Sequence, residues 1–215
     1  MNSKGTVLVL CLLMLFALTL LGLAAASDQV LQARMSSNQI IGSQSSQSAD
    51  ITLDWAEDWL FGLEGTEKPG VCSDSCLSSE IVHQKRSFND DAALHNLAWW
   101  EKNAHPTGKD PQTGIILDQA LVETYPDNYW LIKEAYSEPA LPNDDKISEI
   151  TYYRILARAS SGHGALFIVS ESIIARPWGD VSLRDAFPAA LDQAGFCLAV
   201  DDTIPCGRLA WRQIH

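Results

Sequence analysis

The first sixty residues contain few of the residues that break helices. No proline occurs before Pro69, and the only glycines between Val7 and Leu60 are Gly22 and Gly42. Charge is also absent from residues 7–26, which are rich in Leu, Val and Ala. A helix of about twenty residues rises roughly 30 Å, which matches the hydrocarbon core of a bilayer. These absences predict a membrane-spanning helix near the N-terminus.

Basic residues are scarce as well. The 215 residues include 15 Lys and Arg against 27 Asp and Glu, so the net charge is -12 and the pI is about 4.7. A protein that binds nucleic acid or anionic membranes in general needs a basic face to neutralise phosphates. The composition therefore predicts an acidic, soluble surface and no nucleic-acid partner.

The sequence lacks the common signatures of enzymes. It has no Gly-x-Ser-x-Gly, no His-Glu-x-x-His and no Walker-type phosphate loop. Ser161 and His163 stand two apart, but residues of one tight turn need not face each other. The acidic doublets at 90–91, 144–145 and 201–202 lack the spacing of a calcium loop. We expect no catalytic residues, no metal, no cofactor and no enzyme, and ordinary surface or capping roles for four histidines: His83, His95, His105 and His163.

Helical periodicity continues beyond the apolar run. Small and apolar residues recur at spacings of three and four on one face: Leu31, Met35, Asn38, Gly42, Ser45, Ala49, Thr52 or Leu53, Ala56 and Leu60. One continuous helix over residues 6–60, stopped by Gly62 and Gly65, explains both halves. The alternative is a signal peptide cut near residues 24–26, but that leaves the second periodic stretch without a purpose.

The rest of the chain predicts a small sheet packed on this helix, an α+β arrangement. Residues 150–156 and 165–174 are β-branched and aromatic runs around a turn, which indicates an antiparallel hairpin. We expect a third strand near Phe196–Val200 and an edge strand over residues 209–214. Two further segments are predicted: a helix over residues 89–103 with Asn89 or Asp90 as N-cap, and a short helix or strand over residues 115–124.

Tryptophan is frequent, with seven residues. Trp55 and Trp59 lie one turn apart, where they can pack against the sheet. Trp99 and Trp100 must point in different directions on a helix, so two surfaces are needed to bury both. A small α+β domain needs large core side chains, which favours core positions over an interface role for these residues.

The five cysteines fall into two groups, one residue in the apolar run and four residues beyond it. Cys11 lies in the apolar run and behaves as a small buried hydrophobe. The other four allow three disulfide pairings, and proximity favours Cys72 with Cys76 and Cys197 with Cys206. A zinc site is disfavoured because Cys-x-x-x-Cys lacks a second tight pair and the histidines are scattered.

The N-terminus resembles that of a type IV prepilin. The polar leader Met-Asn-Ser-Lys-Gly precedes the apolar run, and the resemblance implies cleavage by prepilin peptidase between Gly5 and Thr6. The apolar segment would then stay in the mature protein, with Thr6 as an N-methylated first residue. Major pilins favour phenylalanine there and glutamate at the fifth mature position, where this chain has Leu10.

Four later blocks resemble the PilX family of minor pilins. Residues 32–38 (Gln-Ala-Arg-Met-Ser-Ser-Asn) are similar to its Glu-Arg-Met-Ala-x-Asn block, and residues 47–60 to its Gln-Ala-Ala-Glu-Ala-Ala-Leu-x-x-Ala-Glu-x-x-Leu run. Residues 153–159 (Tyr-Arg-Ile-Leu-Ala-Arg-Ala) and 207–212 (Gly-Arg-Leu-Ala-Trp-Arg) resemble its Tyr-Arg-Ile-x-Ala-Arg strand and its Gly-Arg-x-Ser-Trp-Arg terminus. Asp50 stands where the family usually has glutamate, which keeps the charge.

The resemblance implies a pilin-like fold and a role in assembly rather than turnover. The implied division is a leader (1–5), a membrane or filament-core half-helix (6–27), an amphipathic half-helix (28–61), a variable loop region (62–146) and a sheet closed by a disulfide (147–215). The protein would span the inner membrane once with its globular part in the periplasm, and would then enter the pilus. Because Leu10 cannot supply the glutamate carboxylate that pairs with a neighbour's N-terminal amine, a place at the tip follows as a hypothesis.

The implied partners are other minor pilins, the major pilin, the inner-membrane platform, prepilin peptidase and a candidate tip adhesin. The implied function is to prime pilus assembly in support of motility and adhesion. Three rival interpretations stay open: a type II secretion pseudopilin, a periplasmic protein released by signal peptidase, and a single-span scaffold unrelated to pili.

Overall fold

The chain divides into two units, Met1–Ser43 and Gln44–His215. The computed structural model describes residues 3–72, 81–84, 96–139, 146–160, 167–180, 193–198, 200 and 203–214. Helix α1, Ser3–Gly62, contributes to both units. The predicted helix is confirmed, and it ends at Gly62, the first of the two glycines expected to stop it.

Unit 1 is helical throughout its described part. The large apolar side chains from Leu8 to Leu23 each expose between 52 % and 70 % of their surface. By length and composition, α1 is the one helix among the described residues that can cross a membrane. A helix satisfies its backbone hydrogen bonds internally, so such a segment is compatible with lipid on every side.

Within the residues that the structure describes, unit 2 packs the last turns of α1 against seven strands. Three short helices accompany them in that part of the chain: α2 (Leu97–Asn103), α3 (Gln119–Thr124) and α4 (Gln193–Leu198). The strands are β1 (Val71–Cys72), β2 (Val82–His83), β3 (His105–Pro106), β4 (Tyr129–Pro139), β5 (Ile147–Ser160), β6 (Phe167–Gly179) and β7 (Gly207–Ile214).

The sheet is mixed and has the strand order β1-β2-β4-β5-β6-β7, with β3 paired to β4. The pairs β1–β2 and β2–β4 are parallel, whereas all the other pairs are antiparallel. The expected α+β class is thus found, but the expectation of a purely antiparallel sheet is wrong at one edge. Strands of two residues carry no alternating pattern that a sequence could reveal.

Both faces of the sheet carry buried residues. Neighbouring residues of a strand point to opposite faces, so each strand contributes to both. One face packs on α1 through Leu53, Ala56 and Leu60, which meet Trp130 and Ile155 among others. The opposite face forms a second cluster: Trp100, Leu131, Leu156 and Val169.

The predicted hairpin is confirmed and is longer than expected. β5 pairs with β6 from Ile147 opposite Gly179 to Ser160 opposite Phe167. The predicted C-terminal strand is also present, because β7 pairs with β6 and is the last strand in the sheet order. The turn expected at residues 160–164 lies largely outside the described residues.

The predicted strand near Phe196–Val200 is wrong, since residues Gln193–Leu198 form α4. Phe196 is fully buried and its ring centroid lies 5.3 Å from that of Phe61 on α1. A short apolar run can form either a buried strand or a buried helical turn, so its hydrophobic periodicity does not distinguish the two structures.

The two other predicted segments are partly found. Helix α2 has Asn96 at its N-cap position, and the expected caps Asn89 and Asp90 lie outside the described residues. Within residues 115–124 the structure has helix α3, where the Asp118 carboxylate accepts a hydrogen bond from the Leu121 amide at 3.0 Å.

The tryptophans expected in the core pack there. Trp55 and Trp59 are half-buried against the first cluster, and the ring centroids of Trp59 and Trp130 lie 5.5 Å apart. Trp100 is fully buried in the second cluster, with Trp99 packed against it edge to face.

Candidate functional site

The predicted processing site lies in the first turns of α1. Gly5 and Thr6 are helical, and Leu10 and Cys11 follow on the same helix with exposed side chains. Cys11 is a free cysteine, and it is exposed rather than buried as expected. It lies within the apolar run, where lipid or a neighbouring helix is the natural environment.

A polar ladder joins α1 to the edge strand β7. Three side chains of β7 reach one face of the helix, at residues spaced one turn and then two turns apart. Gln213 donates to Ser46 at 2.6 Å, and Trp211 hydrogen-bonds to Asp50. The third contact is bifurcated: Arg208 Nε donates to both carboxylate oxygens of Glu57, at 3.0 and 3.1 Å. We call these contacts the α1–β7 ladder.

Glu57 is the buried member of the ladder, with its side chain 1 % exposed. Burial raises its pKa, against the opposing effects of the Ser172 hydroxyl, which donates at 2.6 Å, and of Arg208. Burial lowers the pKa of Arg208, but its bonds to Glu57 and the nearby Asp54 outweigh this, so the net pKa is raised. Glu57 thus more than offsets the desolvation of Arg208, whereas Arg208 offsets only part of the desolvation of Glu57.

A second buried carboxylate, Glu171 on β6, lies between two arginines. Arg212 of β7 approaches it at 2.9 Å and Arg154 of β5 donates to it at 2.8 Å. Beside them, burial and the charge of Arg154 lower the pKa of Lys133 to about 8, although Glu171 opposes this.

These contacts bring together three of the sequence blocks that resemble the PilX family. The helix block 47–60 meets the terminal block 207–212 through Glu57 and Arg208. Glu171 in turn joins that terminal block to the strand block 153–159. Charged residues far apart in the sequence therefore form two clusters beside β7: Glu57 with Arg208 on the face that packs on α1, and Glu171 with Arg154 and Arg212 on the opposite face.

Sequence reasoning missed the polar contact that fixes α1 to β4. Asn128 is buried, and its side-chain amide donates to Ser48 Oγ at 2.7 Å and to Thr52 Oγ1 at 2.8 Å. Its Oδ1 accepts from the Ser160 amide at 3.3 Å. The sequence did contain a signal for this contact, namely the small polar residues at positions 45, 48 and 52 on the buried face of α1. A buried hydroxyl group requires a hydrogen-bond partner, so such residues predict one.

Arg176 was also missed. It is completely buried, its guanidinium lies 3.5 Å from the ring centroid of Trp178, and it donates to the carbonyl of Leu63. Phe61 and Phe196 complete an aromatic cage around it. Burial lowers its pKa to about 9. This cation holds the end of α1 to β6 and to α4.

The predicted disulfide between Cys197 and Cys206 is present, with the Cα atoms 5.5 Å apart. It ties α4 to the residue just before β7. Cys72 is disulfide-bonded too. Since Cys76 lies outside the described residues, the pairing of Cys72 with Cys76 stays a prediction.

Replacing Cys197 by serine should lower the free energy of unfolding by about 2–3 kcal/mol, because a crosslink over about ten residues restricts the unfolded chain by this amount. Urea unfolding of the full chain in detergent micelles measures the loss. A change below about 0.5 kcal/mol would show that the bridge does not restrict the unfolded chain.

The histidines differ from expectation in their burial. His83 is 1 % exposed, and its Nε2 lies 3.1 Å from the carbonyl of Asn103 at the end of α2, which is a capping contact. His105 packs on Trp130, and burial lowers its pKa to about 4. Neither is a surface residue. His95, His163, Ser161 and the acidic doublets lie outside the described residues. Among the residues that the structure describes, no group of three metal-ligating side chains occurs.

The comparisons with known proteins give no family to which the chain can be assigned. No protein-family model, no curated protein and no solved structure matches it. Any functional conclusion therefore rests on the residues themselves.

Proposed function

We propose that the chain is a minor pilin of a type IV pilus, similar to the PilX family, that helps to prime assembly and enters the pilus at or near its tip. In this role it is an assembly subunit and has no catalytic function. Prepilin peptidase would cleave it between Gly5 and Thr6, and pilus-dependent motility and adhesion would follow from assembly.

The observation that carries the proposal is the continuity of α1. The helix runs from the leader through the membrane-length apolar segment, and its residues from Ser45 onward enter the core of unit 2. A cleavable signal peptide needs no such continuation. A subunit that moves from the membrane into a filament uses the apolar half first against lipid and later against neighbouring helices.

The charged contacts of β7 give further support. Two blocks selected only because they resemble one family meet directly through Glu57 and Arg208, and Arg154 and Arg212 of two blocks share Glu171, which lies outside the blocks. Unrelated matches scattered along a chain have no reason to meet in this way.

Leu10 supports the position near the tip. A leucine in an apolar segment needs no partner, whereas a carboxylate there requires the amine of another subunit. A subunit with Leu10 can occupy a site where no neighbour offers that amine.

Deleting the gene should reduce the number of surface pili at least tenfold, as counted by electron microscopy, and the intact chain should restore them. A chain with Gly5→Leu should fail to restore them because the peptidase site is lost. A chain with Gly22→Ala keeps the peptidase site and should still be cleaved, so the mass of the mature chain separates loss of cleavage from loss of a glycine. Normal pili together with a loss of protein secretion would instead identify a type II secretion pseudopilin.

A further inference from the structure

Arg176 on β6 is a buried cation with no carboxylate partner among the residues that the structure describes. Its side chain is completely buried, and one of its nitrogen atoms, Nη2, donates to the carbonyl of Leu63. The other two, Nε and Nη1, are buried without a hydrogen-bond partner. Burial lowers the pKa of Arg176 to about 9, and only the hydroxyl of Tyr153, which is uncharged at neutral pH, opposes that shift. A buried charge is costly unless an opposite charge compensates for it.

Arg158 on β5 provides a comparison within the same sheet. It is 4 % exposed, and its guanidinium lies 4.7 Å from the ring centroid of Phe167. Burial lowers its pKa, but the charges of Asp127 and Glu101 oppose this effect. Arg176 therefore differs from Arg158 in its surrounding charges and not in its burial. The remaining arginines that the structure describes in unit 2 each contact a carboxylate: Arg154, Arg208 and Arg212.

Two further buried donors lie beside the guanidinium of Arg176. The guanidinium stacks on Trp178, whose ring centroid lies 6.3 Å from that of Tyr153. The indole N–H of Trp178 and the hydroxyl of Tyr153 lie close to each other without forming a hydrogen bond, and both are buried without a partner. Together with Nε and Nη1 of Arg176, they make four donor atoms around one positive charge. Such a set of donors is suited to an anion.

The acidic side chains next to this cluster are paired with Lys68. Glu134 stands opposite Tyr153 in the sheet and Glu149 stands opposite Trp178. The amine of Lys68 lies 3.6 Å from the carboxylate of Glu134 and also contacts that of Glu149. Neither acid opposes the effect of burial on the pKa of Arg176. The counter-charge of Arg176 therefore does not come from these two carboxylates.

A cleft of about 570 Å³ adjoins the cluster, because Trp178 forms part of its wall. The single charge of Arg176 compensates one negative charge, so a dianion such as phosphate would leave excess charge buried. This favours a monovalent anion that passes through the cleft. The charged residues that line the cleft are balanced in sign: Lys68 and Lys146 against Glu149 and Asp180.

We propose that Arg176, Tyr153 and Trp178 bind a small monovalent anion of the size of chloride. The anion compensates the buried charge and accepts hydrogen bonds from the donors, whereas a water molecule satisfies the donors and leaves the charge uncompensated. The site stabilises the junction of three elements, because Arg176 on β6 contacts Leu63 after the end of α1 and Phe196 on α4. The inference does not depend on the proposed function.

The first test replaces sodium gluconate by sodium chloride at constant ionic strength, with the full chain in detergent micelles. Gluconate has the same charge as chloride but is too large for the site. We expect about 0.3 M chloride to raise the melting temperature by at least about 3 °C, the shift that corresponds to about tenfold excess over Kd. Arg176→Met should abolish this shift, and the matched variant Arg158→Met should retain it.

Bromide provides a second readout, which does not require Arg176→Met to fold. A bound bromide quenches the fluorescence of an adjacent indole, so the quenching of the full chain should have a saturable component that chloride competes away. Trp178→Phe should remove this component. Tyr153→Phe keeps the positive charge and removes one donor, so it should raise the bromide concentration of half-maximal quenching at least about threefold.

A melting temperature that does not respond to chloride, or quenching without a saturable component, would show that water satisfies the buried donors and would overturn the inference. An equal chloride shift in Arg176→Met, or an unchanged half-maximal bromide concentration in Tyr153→Phe, would also overturn it, because the anion would then bind elsewhere. These results leave the proposed function untouched, since none of them concerns the mature N-terminus.

Discussion

Replacing Arg208 by alanine is expected to lower the free energy of unfolding by about 3 kcal/mol at pH 7. The substitution leaves Glu57, 1 % exposed, with a buried charge and without its arginine partner. Removing one member of a buried pair typically costs about 3–5 kcal/mol. The lower end of this range applies here because the Arg208 side chain is 33 % exposed, so water can replace part of its interaction with Glu57. Urea unfolding in micelles measures the change.

The pH dependence and a double variant identify the cause. Burial raises the pKa of Glu57 above 4.5, so the stability linked to its protonated form is fully present below 4.5 and is lost as the pH rises through the folded pKa. The penalty of Arg208→Ala should therefore shrink as the pH is lowered toward 4.5. Arg208→Ala combined with Glu57→Gln should be less destabilised than Arg208→Ala alone. A double variant that is equally unstable would locate the loss elsewhere.

Replacing Gly179 by alanine is expected to cost at least about 3 kcal/mol. A Cβ at this position would lie 2.8 Å from the Cα of Ile147 and even closer to the carbonyl oxygen of Lys146. Both obstacles are backbone atoms, so relief requires the end of β6 to separate from β5. That movement would break the bonds from the Gly179 amide to Gly65 and from the Asp180 amide to Lys146, at 2.9 and 2.7 Å.

The matched control is Gly42→Ala. Gly42 lies within α1 with open space where the alanine methyl group would stand, so this substitution should leave stability unchanged or raise it by up to about 1 kcal/mol. Thermal unfolding of both variants, followed by near-UV circular dichroism, gives the comparison. Equal melting temperatures for Gly179→Ala and wild type would show that the strands part without cost.

The sequence was sufficient for the parts of the fold that have local causes. α1 follows from the absence of proline over its whole length, and its end follows from Gly62. The hairpin of β5 and β6 follows from two β-branched runs around one turn. Both signals lie within the residues that form the element.

Elements with distant causes could not be predicted. β1 and β2 have two residues each and exist because β4 pairs with β2, which in turn pairs with β1. Phe196 is helical because it fills the space beside Phe61, not because of any periodic pattern.

The features of the candidate site likewise divide into those with local causes in the sequence and those with distant causes. The apolar run and the Cys197–Cys206 pair could be predicted from order and proximity in the sequence. The bond between Glu57 and Arg208 joins residues 151 positions apart, and that between Asn128 and Ser48 joins residues 80 apart. No spacing rule connects such pairs, although the polar residues on a buried helical face did indicate that partners were needed.

The most direct test of the pilin assignment is the mass of the mature N-terminus, measured in cells with and without prepilin peptidase. We expect a chain that begins at Thr6, N-methylated, and that reverts to Met1 when the peptidase is absent. A chain that begins at or near Ser27 in both strains would contradict the assignment, because the protein would then be released by signal peptidase as a soluble periplasmic protein.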